Sequence, residues 1–277
     1  MPSLFRTLLF VPGSRPDRFD KAVQSGADVV ALDLEDAVAP PEKDMARRGV
    51  IDYLARPSTH GARRFVRINS PKTVHGVRDL AALLEAPAGP DGVVIPMVGS
   101  AEEVRWVDGL LGARFPEIRL SAVIETTEGL ANAGTIAGAS PRLEALGFGA
   151  ADFTAETGGE QSWDGLLVAR SQIAFAAARA GIVATDGVWL ALDDEAGLVA
   201  ETRRVAELGF RSKATIHPKQ VAPIHGALRP SEDDITRARR IVEAFEAAKG
   251  GVVTVDGRMI DLPLVTRARR TLALAGG

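Results

Sequence analysis

The sequence predicts an α/β protein built as a TIM (β/α)8 barrel, and two observations carry this prediction. Short β-type apolar runs alternate with longer stretches of helical periodicity, which is the pattern of repeated βα units around a parallel sheet. The runs number eight, the number of strands that closes such a barrel. A chain of 277 residues with 46% hydrophobic content can also bury a large core.

The predicted barrel elements follow one another along the whole first part of the chain. We expect strands at 7–11, 28–34, 64–68, 92–97, 120–124, 143–148, 188–192 and 213–216. Between them, 102–111, 164–180 and 194–208 carry small and apolar residues at three- and four-residue spacing, which predicts helices. Gly26, Gly181 and Gly209 stand where helix ends favour glycine.

The chain continues past the eighth predicted strand. The segment 231–249 predicts a further helix, because Ser231 is a good N-cap and acidic residues fill its first turn. The tail holds an extended run, 252–255, and ends in a basic helix. We therefore expect a barrel catalytic domain at 1–230 and a helical extension at 231–277. Apolar residues beyond a complete barrel must pack on something, and a neighbouring subunit is a candidate.

Composition excludes several classes of function. The net charge is -3 and the basic residues are dispersed, so nucleic-acid binding is not expected. The chain has no cysteine, which excludes disulfides, a thiolate nucleophile and cysteine-bound metal sites. No uncharged run is long enough for a membrane span or a signal-peptide core. These features predict a cytoplasmic protein without a membrane partner.

Acidic side chains follow two consecutive predicted strands. Glu125 follows 120–124 and Asp152 lies shortly after 143–148. The active sites of TIM barrels lie at the C-terminal strand ends, so these carboxylates are expected to be neighbours. A divalent cation removes their repulsion, and oxygen ligands favour Mg²⁺, with Mn²⁺ second. The alternative is that each carboxylate caps a helix, although the glycines around both residues favour an open site.

Arg67 ends the third predicted strand, where its planar guanidinium group can hold a carboxylate or an enolate oxygen of a substrate. The alternative is an ion pair with Glu35 or Asp36, and both roles are compatible. We expect Glu35 and Asp36 to orient Arg67 or water at the metal, and the alternative for them is an exposed loop salt bridge.

Several motifs together resemble the citrate lyase beta-subunit-like proteins of the HpcH/HpaI aldolase superfamily over nearly the whole length. They are Leu9-Phe10-Val11-Pro12-Gly13 with Arg18 and Lys21, Leu32-Asp33-Leu34-Glu35-Asp36-Ala37-Val38 with Lys43 and Arg47, Val66-Arg67-Ile68-Asn69, Ile124-Glu125-Thr126, Gly149-Ala150-Ala151-Asp152, Ile216-His217-Pro218 and Met259-Ile260-Asp261-Leu262-Pro263.

The resemblance implies a TIM barrel that binds Mg²⁺ through Glu125 and Asp152. It implies cleavage or formation of a carbon–carbon bond in a 3-hydroxyacyl-CoA of the citramalyl-, citryl- or malyl-CoA type, giving acetyl-CoA and a 2-keto acid. It also implies a homotrimer or a multiple of one, in which Asp261 reaches the active site of the adjacent subunit as acid or base. Arg67 would stabilise the enolate.

The resemblance also places part of the coenzyme A site near Arg15, Arg18 and Lys21. The alternative is a solvated basic helix start. Relatives commonly have Ile-Pro-Lys at the fourth strand, whereas Met97 follows Ile-Pro here. Without the positive charge of that lysine, the sequence does not show what second anionic group the substrate carries, or which substrate it is.

Other enzyme classes remain open on the sequence. A metal-dependent aldolase acting on free 2-keto acids would use the same carboxylates. A Schiff-base aldolase would need a lysine inside the barrel, and Lys213 is the best candidate although it begins its strand at the wrong end. A further alternative is a subunit of a citrate lyase complex, in which an acyl-carrier protein carries the thioester.

Overall fold

Eight parallel strands close into a barrel in the computed structural model, which describes residues 5–58 and 61–275. The strands pair in chain order, and β1 also pairs with β8. They are β1 (Thr7–Pro12), β2 (Val29–Asp33), β3 (Arg63–Arg67), β4 (Gly92–Ile95), β5 (Arg119–Ile124), β6 (Leu143–Phe148), β7 (Val183–Asp186) and β8 (Ser212–Thr215). The predicted TIM barrel is confirmed.

Helices follow the strands. Their bounds are α1 (Phe19–Val23), α2 (Lys43–Leu54), α3 (Val74–Glu85), α4 (Ala101–Arg114), α5 (Thr127–Ala131), α6 (Ala133–Ala137), α7 (Ala150–Thr157), α8 (Trp163–Ala180), α9 (Glu195–Leu208), α10 (Val221–Leu228), α11 (Glu232–Ala247) and α12 (Leu262–Ala275). The glycines at 181 and 209 cap α8 and α9 with positive φ angles of 72° and 115°. No helix in the described ranges is both long and apolar enough to cross a membrane.

The seventh strand was predicted at the wrong place. The structure puts β7 at Val183–Asp186, whereas 188–191 form no regular element. Gly181 ends α8, so the chain enters the barrel at once, and all four residues of β7 are buried. The apolar run at 188–192 belongs instead to the loop after β7, where Leu190 is 63% exposed.

Two apolar layers hold the barrel. The inner cluster is built from strand residues such as Leu8, Ala31, Phe65 and Val94. A larger cluster joins other strand residues to the surrounding helices. Because neighbouring side chains on a strand face opposite ways, strands β1 to β7 each contribute to both layers.

A buried ion cluster links β7 and β8 to two helices. Lys213 Nζ donates to Asp186 at 2.6 Å and to Glu201 at 2.8 Å, and Arg170 also contacts both carboxylates. Lys213 and Asp186 are fully buried. The amino group of Lys213 is therefore committed to two carboxylates, which counts against a Schiff-base role.

The chain divides into two compact units, of which the first ends at His225 and the second begins at Gly226. Within the second unit, α11 and α12 pack together around Ile241, Phe245 and Val265. Strands β9 (Val253–Val255) and β10 (Arg258–Ile260) form an antiparallel hairpin. Its two turn residues, Asp256 and Gly257, have φ angles of 50° and 71°, as a type I′ turn requires.

The expected N-terminal cap of the helix after the barrel is present. The Ser231 side chain accepts from the Asp234 N–H, and the Asp234 carboxylate accepts from the Ser231 N–H, which makes a reciprocal capping box.

Candidate active site

A cavity of about 470 Å³ lies at the C-terminal ends of the barrel strands. Its lining includes Asp36, Arg67, Glu125 and Asp152, which the sequence analysis singled out, and also Asp33. The parallel direction of all eight strands brings these groups together, because each stands at or just after a strand end. Asp186, the last residue of β7, lines the cavity as well, so the structure gathers five carboxyl groups and one guanidinium group there.

Arg67 is bound on one side by carboxylates. Its Nε and Nη2 donate to the two oxygens of Asp33 at 2.7 and 2.6 Å. Its Nη1 lies 2.8 Å from Glu35 Oε2 and 3.8 Å from Asp36 Oδ2, and the guanidinium carbon lies 4.5 Å from the centre of the Phe10 ring. A planar fork held at this many points has a fixed orientation.

Asp33 is the main partner of Arg67, which was not predicted from the sequence. Asp33 is the last residue of β2, and the sheet register pairs it with Arg67, the last residue of β3. The N–H groups of Glu35 and Ala37 also donate to Asp33, at 2.9 and 3.3 Å. Aligning the C-terminal ends of the second and third predicted strands would have predicted this pair. Burial opposes the charge of Arg67, but Asp33 and Glu35 outweigh it and raise its pKa.

Glu35 and Asp36 both lie beside Arg67, but in different environments. Burial raises the pKa of the Glu35 carboxyl to about 8, even though Arg67 favours its ionised form. Asp36 is 68% exposed and contacts Arg67 only weakly. It therefore matches the alternative interpretation from the sequence, an exposed loop salt bridge. Glu35 is the better placed of the two to orient Arg67.

A buried polar network supports the loop that carries Glu35. Lys43 Nζ donates to the carbonyls of Leu34 and Glu35 at 2.9 and 3.0 Å and to Asn69 Oδ1 at 2.6 Å. Asn69 in turn donates to the Leu34 carbonyl and to Asp79. These bonds fix the backbone that joins β2 to the cavity.

Glu125 follows β5 and is 4% exposed. Its Oε1 accepts from the Met97 N–H at 2.6 Å, and Met97 has a positive φ of 54°. A side chain at Gly149 would collide with Glu125, so only glycine fits there. Burial raises the pKa of Glu125 to about 7, and the neighbouring Asp152 adds to the increase.

Asp152 lies in the first turn of α7, whose N-cap is Gly149. Burial, followed by the charge of Asp36, raises the pKa of its carboxyl, while a hydrogen bond with Glu125 opposes the increase. Two carboxyl groups that share a hydrogen bond titrate as a pair and hold a proton at neutral pH more readily than an isolated acid. The site favours either a proton or a cation between them.

Helix capping does not account for these two acids. Thr126 caps α5, since its side chain accepts from the Gly129 N–H. Glu125 is therefore free of that role, and the cap expected from Asp152 is also absent because Asp152 lies inside its helix.

The carboxyl pair fits Mg²⁺. No group of three or more Asp, Glu, His or Cys side chains suited to a metal ion occurs in the described ranges. Mg²⁺ needs fewer protein ligands than that, because it commonly binds one or two carboxylates and takes its remaining oxygens from water and substrate. The mutual repulsion of Glu125 and Asp152 is what such an ion would relieve.

The remaining expected site residues are not among those that line the cavity. Arg15, Arg18 and Lys21 are exposed and follow β1, and Arg15 forms a surface ion pair with Asp17 at 2.7 Å. Asp261 belongs to the second unit, where its carboxylate accepts from the Leu264 N–H at 3.4 Å at the start of α12.

Comparison with known families gives two matches that together span most of the chain. Residues 6–218 match the HpcH/HpaI aldolase/citrate lyase family. Residues 168–275 match a family described as a C-C bond lyase of the TIM-barrel fold.

The chain is also similar to named proteins over almost its whole length. It is 37% identical to the L-malyl-CoA/beta-methylmalyl-CoA lyase of Cereibacter sphaeroides, with 95% of this chain and 92% of the relative covered. It is 36% identical to the citrate lyase subunit beta of Escherichia coli, with 98% and 93% covered. The crystal structure of CitE from Mycobacterium tuberculosis, in complex with magnesium, acetoacetate and coenzyme A, matches with a TM-score of 0.86 and 34% identity, and each chain is fully covered.

The raised pKa of Glu125 predicts how the stability of the metal-free protein depends on pH. An unfolded glutamate loses its proton near its ordinary pKa of 4.5, whereas the folded protein keeps it up to about pH 7. The native state thus binds more protons in this range, so the free energy of unfolding falls as pH rises from 4.5 to 7. Glu125→Gln should be more stable than wild type at pH 8 by about 1–3 kcal/mol, and the difference should vanish below about pH 5.

Urea denaturation in EDTA at pH 5 and pH 8 measures this difference. Glu102→Gln, on an exposed side chain of α4, is the matched control and should leave both values unchanged. Equal stability of Glu125→Gln and wild type at pH 8 would contradict the burial argument.

Proposed function

Because this chain belongs to the HpcH/HpaI aldolase/citrate lyase family, we propose that it is a Mg²⁺-dependent carbon–carbon lyase. Its substrate is a 3-hydroxyacyl-CoA of the malyl-, citramalyl- or citryl-CoA type, which it cleaves to acetyl-CoA and a 2-keto acid, or forms from them. The observation that carries the proposal is the Glu125–Asp152 pair facing Arg67 in one cavity. Relatives that are 36–37% identical are themselves named as CoA-thioester and citrate lyases.

Glu125 and Asp152 would hold the metal, with Mn²⁺ as a second suitable ion. When bound, Mg²⁺ supplies a Lewis acid that lowers the pKa of the substrate hydroxyl and neutralises the adjacent carboxylate. Gly149 leaves the space that the Glu125 carboxylate occupies, and the Met97 N–H fixes one of its oxygens. These two contacts fix the position of the Glu125 carboxylate.

Arg67 has the next role in the reaction. Cleavage begins when the substrate hydroxyl loses its proton, and negative charge then develops on the thioester enolate as the carbon–carbon bond breaks. Arg67 stabilises this charge, because Asp33 and Glu35 hold its guanidinium group in place before the reaction starts. Glu35 acts by positioning Arg67, and the weaker contact of Asp36 adds to the same role.

Asp261 completes the proposal as the acid that protonates the enolate carbon, or as the base in the reverse direction. It would do so from a neighbouring subunit, in a homotrimer or a multiple of one. In support, α12 begins directly after Asp261, so the end of an ordered element holds this carboxylate.

The coenzyme A part of the substrate is assigned to the exposed basic residues after β1. Arg18 and Lys21 are solvent-exposed cations near the C-terminal end of that strand, which suits the binding of phosphate groups. Arg15 would have to exchange its ion pair with Asp17 for a phosphate, and exposed pairs of this kind are weak. We place the enzyme in the cytoplasm, where acyl-CoA substrates are found and a chain without cysteine needs no disulfide.

The direct test follows acetyl-CoA and keto-acid release from malyl-, citramalyl- and citryl-CoA by the purified protein, with Mg²⁺ and with EDTA. We expect cleavage of at least one thioester in Mg²⁺ and its loss in EDTA. Activity that EDTA does not change would contradict the metal mechanism. Failure to cleave any thioester would favour a metal-dependent aldolase for free keto acids or a citrate lyase subunit that needs an acyl-carrier protein.

Asp261→Asn separates catalysis from structure at this position. Asparagine caps a helix as well as aspartate does, so the fold of the second unit should persist. We expect kcat to fall at least about 100-fold, as for loss of a general acid, while Mg²⁺ affinity and Tm stay unchanged. Asp256→Asn, in the hairpin turn of the same unit, is the matched control and should keep full activity, because Asn is also suited to the turn. Full activity of Asp261→Asn would remove Asp261 from the mechanism.

A further inference from the structure

The charges of the cavity restrict which keto acid the enzyme can accept. Arg67 supplies the one cationic side chain among the described residues that line the cavity. The carboxyl groups of the lining are those of Asp33, Asp36, Glu125, Asp152 and Asp186. Acidic side chains therefore outnumber basic ones in the lining. An anionic substrate needs a positive partner for each carboxylate that it buries.

The charge of Arg67 is already balanced within the protein. Asp33 takes two of its N–H groups, and Glu35 lies 2.8 Å from a third nitrogen. In the proposed reaction, Arg67 would stabilise the thioester enolate, and a metal ion held by Glu125 and Asp152 would neutralise the carboxylate beside the hydroxyl. Neither is left for a second carboxylate on the keto-acid half.

The other buried cations near β7 and β8 are equally committed. Lys213 and Arg170 are both bound by Asp186 and Glu201, and their side chains are almost completely buried. Neither of them lines the cavity in the described part of the chain. They offer no charge to a substrate without breaking this cluster.

The rest of the inner wall is uncharged apart from Asp186, which is paired with Lys213 and Arg170. Leu8, Val94, Val123 and Ala214 present apolar surface, and Thr185 presents a hydroxyl that has no hydrogen-bond partner within the described residues. Such a wall suits a hydrogen atom or an alkyl group on the keto carbon. A carboxylate placed against it would lose its hydration and gain no counter-ion.

We infer that the keto-acid partner of this enzyme carries a single carboxylate and an uncharged substituent, as glyoxylate and pyruvate do, and that the cavity discriminates against a second carboxylate, as in oxaloacetate. This inference rests on the proposed function and names its substrate class. In the forming direction, the methyl carbon of acetyl-CoA loses a proton and bonds to the keto carbon, and the keto oxygen takes up a proton to become the hydroxyl. Atoms and charges balance without a further reactant.

The test measures condensation of acetyl-CoA, in Mg²⁺, with four keto acids. Glyoxylate and pyruvate carry small neutral substituents, and oxaloacetate carries the second carboxylate. 4-Methyl-2-oxopentanoate is an isostere of oxaloacetate with an uncharged isopropyl group in place of the second carboxylate. The isostere separates charge from size. Product masses distinguish citryl-CoA from the citramalyl-CoA that forms when oxaloacetate decarboxylates to pyruvate.

We expect kcat/KM for glyoxylate or pyruvate to exceed that for oxaloacetate at least about 100-fold, and the neutral isostere to react at least about tenfold better than oxaloacetate. Formation of citryl-CoA at a rate close to that of the best product would overturn the inference and leave the proposed lyase standing. Rejection of the isostere as strongly as oxaloacetate would also overturn it, because size and not charge would then decide. No product from any of the four would instead overturn the proposed function.

Discussion

The bidentate ion pair between Arg67 and Asp33 is the interaction on which the site depends. It joins the last residues of two adjacent strands at the mouth of the barrel. The positive charge of Arg67 offsets part of the electrostatic repulsion among the carboxyl groups that lie there. Arg67 also lowers the pKa of Glu125 and of Asp152, but burial outweighs this effect at both groups.

Burial is the main cause of the unusual titration of the Glu125–Asp152 pair. Burial raises the pKa of Glu125 to about 7, and Asp152 is shifted in the same direction. Such carboxyl groups destabilise the fold when both are ionised, and natural proteins commonly retain this kind of cost at functional sites. The Met97 backbone, held at a positive φ, and the glycine at position 149 show that the local chain geometry is adapted to keep Glu125 in place.

Features that depend on local pattern were predictable from the sequence. Seven of the eight strands, the helix caps at Gly181 and Gly209, and the convergence of Arg67, Glu125 and Asp152 all follow from periodicity and from the parallel direction of the strands. The seventh strand was misplaced, because the more apolar run after Gly187 belongs to a loop. The hairpin at Asp256-Gly257 was also overlooked, although this dipeptide is a strong turn signal. The partners of charged side chains were harder to predict from the sequence. The Asp33–Arg67 pair, for example, depends on the register of the sheet, which composition does not show.

The central claim is that Glu125 and Asp152 hold a divalent cation, and Mn²⁺ binding measured by electron paramagnetic resonance tests it most directly. Wild-type protein should bind one Mn²⁺ per chain in competition with Mg²⁺. Asp152→Asn should weaken this binding at least about tenfold, whereas Asp193→Asn, on a fully exposed carboxylate, should not change it. Equal affinity in wild type and Asp152→Asn would contradict the claim.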